Sequence, residues 1–178
     1  MPVLKTKRFG ELTYDERDVI DLPEGLIGLP QFQRWLLLEM DRNVPMQWLQ
    51  SLDHGDFGLP ITAPGFFSQS YEVIAPAEVR GALGAPEDEE LATLIITTIQ
   101  PGGASITGNL LAPLLVSAQS RRGVQVILED DSLPVRQELD YAKFNLAVES
   151  MSKDNKASTP TADESEAAER ESHAVSFR

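Results

Sequence analysis

Residues 91–99 read LATLIITTI, and the fold turns on whether that stretch is a strand or a helix. β-Branched residues crowd it, and such side chains lose rotamer freedom in a helix but pack well on a pleated surface. At a period of two, Leu91, Thr93, Ile95, Thr97 and Ile99 share one face, and Ala92, Leu94, Ile96 and Thr98 share the other. Both faces are largely apolar. The stretch therefore predicts a strand buried on both sides.

The same period recurs on either side of it. GVQVILED (123–130) sets Val124, Val126 and Leu128 against Gln125, Ile127 and Glu129. RWLLLEM, PMQWLQSL, FGLPIT and SYEVIA are further short strand candidates, parted by the turn-forming runs DRNVP, DHGD and APGF. QPGG (100–103) predicts a turn directly after the 91–99 strand. One segment departs from the pattern. PAEVRGALG (76–84) places Pro76 at a first helical position, Val79 and Leu83 four apart, and Gly84 as a stop, so it predicts a short helix. Strands and helices do not alternate. The expected fold is all-β: a small closed or strongly bent β-barrel-like domain with one short helix.

GNLLAPLLVS (108–117) needs separate treatment, because its apolar run is interrupted by a proline. Pro113 lacks an N–H, so the strand is an edge there or bulges out of its sheet. Asn109 tolerates a left-handed backbone and bonds neighbouring backbone groups as the strand begins. Two readings stand side by side: a corner that closes the barrel, or an exposed apolar ridge that receives a partner.

Composition sets the outer limits. The 178 residues suit one domain with a tail. Absence of cysteine removes disulfides, thiolate metal sites and catalytic thiols. The N-terminal MPVLKTKRFGEL has charges with no apolar segment behind them, so it does not read as a signal peptide. The longest apolar run, residues 110–116, is far too short to span a membrane. The chain reads as soluble and cytoplasmic. From residue 150 onward it becomes rich in Ser, Thr, Ala and Glu, and residues 150–178 are expected to be a disordered polar tail behind a folded body, 1–149. The tail carries six acidic and four basic residues, so 22 acidic against 11 basic belong to the body, out of a total charge of −13. That excess disfavours direct binding to nucleic acid or to anionic membranes and favours a basic partner. EDEE (87–90) and EDD (129–131) are the densest clusters.

Catalytic inventory is thin. The only histidines are His54 and His173. Asp53, His54 and Asp56 lie too close in sequence to surround one metal ion, and Gly55 makes the run a turn. PEGLIGLP (23–30) lacks the lysine and hydroxyl residue of a phosphate-binding loop, so Gly25 and Gly28 are read as supplying positive φ in a tight loop. Arg121 and Arg122 fit a polar turn between strands, and Trp35 and Trp48 are read as core. Neither a cofactor nor a metal is expected. A barrel hydrolase using carboxylates, or a barrel binding a small ligand, is the competing function class; the first would need a carboxyl group in a deep pocket and the second an internal cavity.

Four segments in series resemble the flagellar assembly factor FliW family: FGELTYDERDVIDLPEGLIGLPQF, PMQWLQSLD, YEVIAP and NLLAPLLVSAQSRRGVQVIL. The resemblance runs from about Phe9 to Leu139. Two positions depart from it. Ala63-Pro64 stands where the family has Asp-Pro, and Ser132-Leu133 replaces a tyrosine ahead of Arg136. The resemblance implies a small, barrel-like, non-enzymatic protein that binds flagellin and the RNA-binding translational repressor CsrA, coupling flagellin synthesis to export. The candidate protein-binding residues are Gln50, Asp53, Tyr71, Glu72, Asn109 and Pro113. Charge density adds Glu129, Asp130 and Asp131, to which no family motif assigns a role.

Overall fold

The computed structural model describes residues 1–157. The LATLIITTI stretch forms an eight-residue strand at the middle of a nine-stranded sheet, so its two faces meet different surroundings. In chain order the strands are β1 (Val3–Thr6), β2 (Gly10–Thr13), β3 (Ile20–Asp21), β4 (Arg34–Glu39), β5 (Gln47–Ser51) and β6 (Gly58–Thr62). Helix α1 (Ala77–Leu83) follows, then β7 (Ala92–Ile99), β8 (Ile106–Gly108), β9 (Leu114–Val116), β10 (Gly123–Gln125) and β11 (Gln137–Glu138). Helix α2 (Tyr141–Ala157) comes last.

The sheet runs β10-β9-β7-β6-β5-β4-β3, with β8 paired to β7 beyond β9 and β11 paired to β8. Consecutive strands β3 to β7 are antiparallel neighbours, joined by short turns between β4, β5 and β6 and by the long connection carrying α1 between β6 and β7. One parallel bridge, Asp21 with Arg122, joins the two ends of this path. The ends thus touch at a single bridge rather than through a ladder. What forms is a large sheet with its ends in contact, beside a separate two-stranded hairpin of β1 and β2.

Alternation along each strand sorts the apolar residues into three clusters. Trp35, Leu37, Leu49, Ile61, Leu94, Leu114 and Val116 point to the central core, together with Ile20, Leu22 and Leu26. On the opposite face of β4, Leu36 and Leu38 are covered by Leu12 of β2 and by Val19. On the opposite face of β7, Ile95 packs with Met46, Phe67, Leu110, Leu139 and Phe144. Strands that read as apolar on both faces do so because each has a second layer over it.

Turn chemistry is met closely. Gly25 and Gly28 take φ values of 67° and 82° in the tight loop after β3. Helix α1 stops at Gly84, whose φ of 64° is left-handed, although Pro76 is the cap residue rather than the first helical one. Arg121 holds φ 57° in the β9–β10 turn, and its guanidinium donates to the Asp18 carbonyl.

Several sequence expectations are corrected. SYEVIA forms no strand; residues 71–76 are irregular and loop across the molecule. GVQVILED is a strand only through Gln125, because beyond it the Val126 and Leu128 N–H groups bond the Pro113 and Leu111 carbonyls in an irregular pairing. A second helix is present. Helix α2 crosses the expected body–tail boundary at 149/150 and ends at Ala157, so residues 150–157 are helical rather than disordered. Residues 158–178 of the expected tail lie outside the described residues.

Candidate protein-binding surface

The proline-interrupted run is where the chain departs furthest from a regular ladder. Gly108 pairs with Thr97 and Leu114 pairs with Leu94, so residues 109–113 face only Ile95 and Ile96 of β7. The excess residues form a wide bulge. The Asn109 side chain closes it, its Oδ1 accepting from the Ala112 N–H at 3.1 Å. Its own N–H donates to the Ile96 carbonyl at 3.0 Å. Pro113 sits where β9 resumes; it is buried, and its carbonyl accepts from Val126.

The apolar run is not an exposed ridge. Leu110 is 2% exposed, Leu114 0% and Val116 0%, and Leu111 alone among its leucines is half-buried. Of the two readings of this segment, the exposed ridge is overturned: the run is packed into the interior of the sheet.

Tyr71 belongs to the same place. Its hydroxyl donates to the Leu110 carbonyl at 2.6 Å, tying the irregular 71–76 segment to the bulge. Burial pushes its phenol up to about 12, so it stays protonated at neutral pH and serves as a donor. Glu72 is exposed next to it. Tyr71, Glu72, Arg80, Glu90, Thr93 and Leu115 line an open cleft of about 280 Å³ between the segment and β7–β9. Arg80 is held there by bonds to the carbonyls of Pro86 and Glu89, at 2.8 and 3.0 Å.

Other candidates lie elsewhere. Gln50 is 1% exposed. Its amide donates to the carbonyls of Ser51, Gly55 and Phe57 at 3.1, 2.9 and 2.9 Å, and its oxygen accepts from the Trp48 indole at 3.2 Å. Gln50 braces the β5–β6 turn and presents no surface. Asp53 is exposed, with one oxygen accepting from the Gln33 and Arg34 N–H groups at 2.6 and 2.9 Å, so it fixes the start of β4.

Glu129, Asp130 and Asp131 are all exposed on the loop after β10. Asp130 is held below the usual carboxylate range by the Ser132 side chain and N–H, whose hydrogen bonds reach it at 2.5 and 2.9 Å. The other acidic cluster is split. Glu87, Asp88 and Glu90 are exposed, but Glu89 is buried at 8%. Its carboxylate accepts from the Ser117 hydroxyl and the Gln119 N–H at 2.9 and 3.1 Å. This buried pairing has no signal in composition; only the fold brings residue 89 to residue 117.

The two tryptophans differ. Trp35 is fully buried, as read from the sequence. Trp48 lies half-buried on the flank under the β1–β2 hairpin, with the Arg8 guanidinium 4.5 Å from its ring. Among the described residues no group of three or more His, Asp or Glu side chains is placed to hold a metal ion. No helix among them is long and apolar enough to cross a membrane.

Comparison with known proteins places this geometry. The sequence model of the FliW protein family matches residues 3–139. The chain belongs to the FliW family. A flagellar assembly factor FliW from Caldanaerobacter subterraneus subsp. tengcongensis is 32% identical over 144 residues, covering 78% of this chain and 96% of that protein. One from Leptospira interrogans is 30% identical over 138 residues, covering 76% and 91%. A crystal structure of the flagellar assembly factor FliW aligns with TM-score 0.71 at 23% identity, over 77% of this chain and 96% of that one, which shows the shared fold. The FliW match spans every strand from β1 to β11. It stops two residues short of α2.

Proposed function

We propose that this chain is a non-enzymatic, cytoplasmic regulator of flagellar assembly that binds flagellin and the basic RNA-binding repressor CsrA, each ligand opposing the other. The observation that carries the reading is FliW family membership across the whole strand-bearing body, residues 3–139. The charge of the body supports a basic partner, and the exposed loop carrying Glu129, Asp130 and Asp131 offers it an unpaired acidic face. In this reading accumulated flagellin occupies the protein and leaves CsrA free to repress flagellin translation. When flagellin is exported, the freed protein captures CsrA and translation resumes.

The test is a titration of CsrA into the chain at several fixed flagellin concentrations and two salt concentrations. Apparent affinity for CsrA should fall as flagellin rises, without limit if the sites overlap and to a plateau if they are coupled. Association should slow as salt is raised, because exposed charges are screened within about 8 Å at physiological ionic strength. A CsrA affinity indifferent to flagellin would remove the antagonism, and charge reversal at 129–131 with unchanged binding would remove that loop from the site.

A further inference from the structure

Helix α2 lies outside the family match, yet it is packed onto the body, and its two halves are packed differently. The first half is held firmly. Asp140 caps it, accepting from the Lys143 N–H at 3.1 Å, and the Asp140 N–H donates to the Phe66 carbonyl at 2.8 Å. Phe144 is buried edge-on against Phe66, ring centroids 5.4 Å apart. Lys143 reaches the Gly65 carbonyl at 2.8 Å, and the Tyr141 hydroxyl accepts from the Ile106 N–H at 2.7 Å.

Past Val148 the packing thins. Met151, the next apolar residue on that face, is half-buried, and residues 153–156 are exposed. Met151 forms one wall of an open groove of about 220 Å³ whose other walls include Val44, Met46, Thr62 and Phe66. A volume of roughly 150 Å³ accepts a benzene-sized group, so this groove has room for an apolar side chain that the helix does not supply. At the far end the exposed Asn155 amide donates to the Arg42 carbonyl and the Asn43 side chain, at 2.9 Å each. A segment that spans an open groove, with its last residues exposed and its polar bonds at the surface, belongs to the low-stability end of a structure.

We propose that residues 149–157 are a displaceable strap and that the groove beneath them is a docking site for a basic amphipathic helix of a partner protein. That helix would insert one apolar side chain where Met151 now stands. The charge follows from the lining, which includes Glu39 and Asp41, and from the acidic excess of the body. The strap itself is neutral, Lys153 and Lys156 being balanced by Glu149 and Asp154, so a basic helix would meet Glu39 and Asp41 with charge that the strap lacks. Being covalently attached, the strap competes at an effective concentration in the millimolar range, so a partner's apparent affinity falls with the fraction of molecules in which the strap is closed. The proposal is independent of whether that partner is CsrA, flagellin or neither.

Two measurements on the full chain decide it. In the unaltered protein, amides of residues 150–157 should exchange with solvent at least about tenfold faster than those of residues 144–149, as local opening requires; equal protection overturns the strap. In the second, a helix-stapled peptide of residues 146–157 is added at millimolar concentration to the wild type and to Met151→Asp/Asn155→Ala. Met151 is half-buried at the rim of the groove and Asn155 is exposed, and both lie outside the strand-bearing body, which remains folded. NMR shifts of Val44, Met46 and Phe66 should move in the variant and stay fixed in the wild type. Equal shifts in both chains, or none in either, overturn the docking site. A peptide with Lys153→Glu/Lys156→Glu that perturbs the variant as strongly overturns the basic character of the partner.

Discussion

The phenol of Tyr71 donates a 2.6 Å hydrogen bond to the carbonyl of Leu110, and through it an irregular surface segment holds the widest bulge of the sheet in place. Neither partner group has a counterpart in a regular ladder. The Leu110 N–H also leaves the sheet, donating to the Pro134 carbonyl at 3.1 Å. Three stretches distant in sequence therefore meet at one residue.

Tyr71 makes stability sensitive to alkali. Burial raises its pKa to about 12 in the folded chain, above the value of about 10 expected when unfolded. A raised folded pKa means that its contribution is complete below pH 10 and is lost as pH climbs toward 12. Spectrophotometric titration should show one of the three tyrosines ionising at about pH 12, and Tyr71→Phe should abolish that step. The same substitution should cost about 1 kcal/mol at neutral pH for the lost hydrogen bond. Thermal unfolding at pH 7 and pH 11 checks both.

The acidic cluster at 87–90 should split on mutation. Glu89→Ala leaves the buried Ser117 hydroxyl and the Gln119 N–H without their acceptor, at a cost of about 2–3 kcal/mol. Glu87→Ala, Asp88→Ala and Glu90→Ala, all exposed, should each stay within about 0.5 kcal/mol of the parent. Denaturant midpoints for the four variants measure the difference.

Two glycines should respond with opposite signs. A Cβ at Gly108 would stand 2.5 Å from Phe67 Cζ and 2.7 Å from Ile95 Cγ2, so Gly108→Ala should destabilise by about 1–3 kcal/mol through overpacking. Gly81 lies inside α1 with nothing within 4 Å of its Cβ position. Gly81→Ala should stabilise by up to about 1 kcal/mol from helix propensity. Paired melting curves read both signs.

Replacing the tryptophans should separate core from flank. Trp35 is fully buried, with its indole bonded to the Phe32 carbonyl at 3.1 Å, and Trp35→Ala should cost about 3–5 kcal/mol. Trp48 is half-buried, and Trp48→Ala should cost about 2 kcal/mol from its smaller buried area. Removing Arg8 should matter only while Trp48 is present, by about 0.5–1 kcal/mol, which a double-mutant cycle measures.

Local rules carried the sequence reading where the cause was local. β-Branched alternation in LATLIITTI and RWLLLE made strands, Gly84 stopped a helix, and Gly25 and Gly28 turned the chain, because each effect depends on neighbours a few residues away. Pro113 announced a break in the sheet for the same reason: a missing N–H is a property of one residue. The family was legible too, in four motifs whose order survives without any knowledge of their contacts. What tertiary structure decided was pairing across distance. SYEVIA alternates like a strand but joins no sheet, and its Tyr71 is drawn to Leu110 instead. Glu89 reads as one more surface charge until the fold brings Ser117 against it. The polar composition after residue 150 conceals a helix whose Asn155 finds partners in Arg42 and Asn43, on a turn that exists only once β4 and β5 have paired.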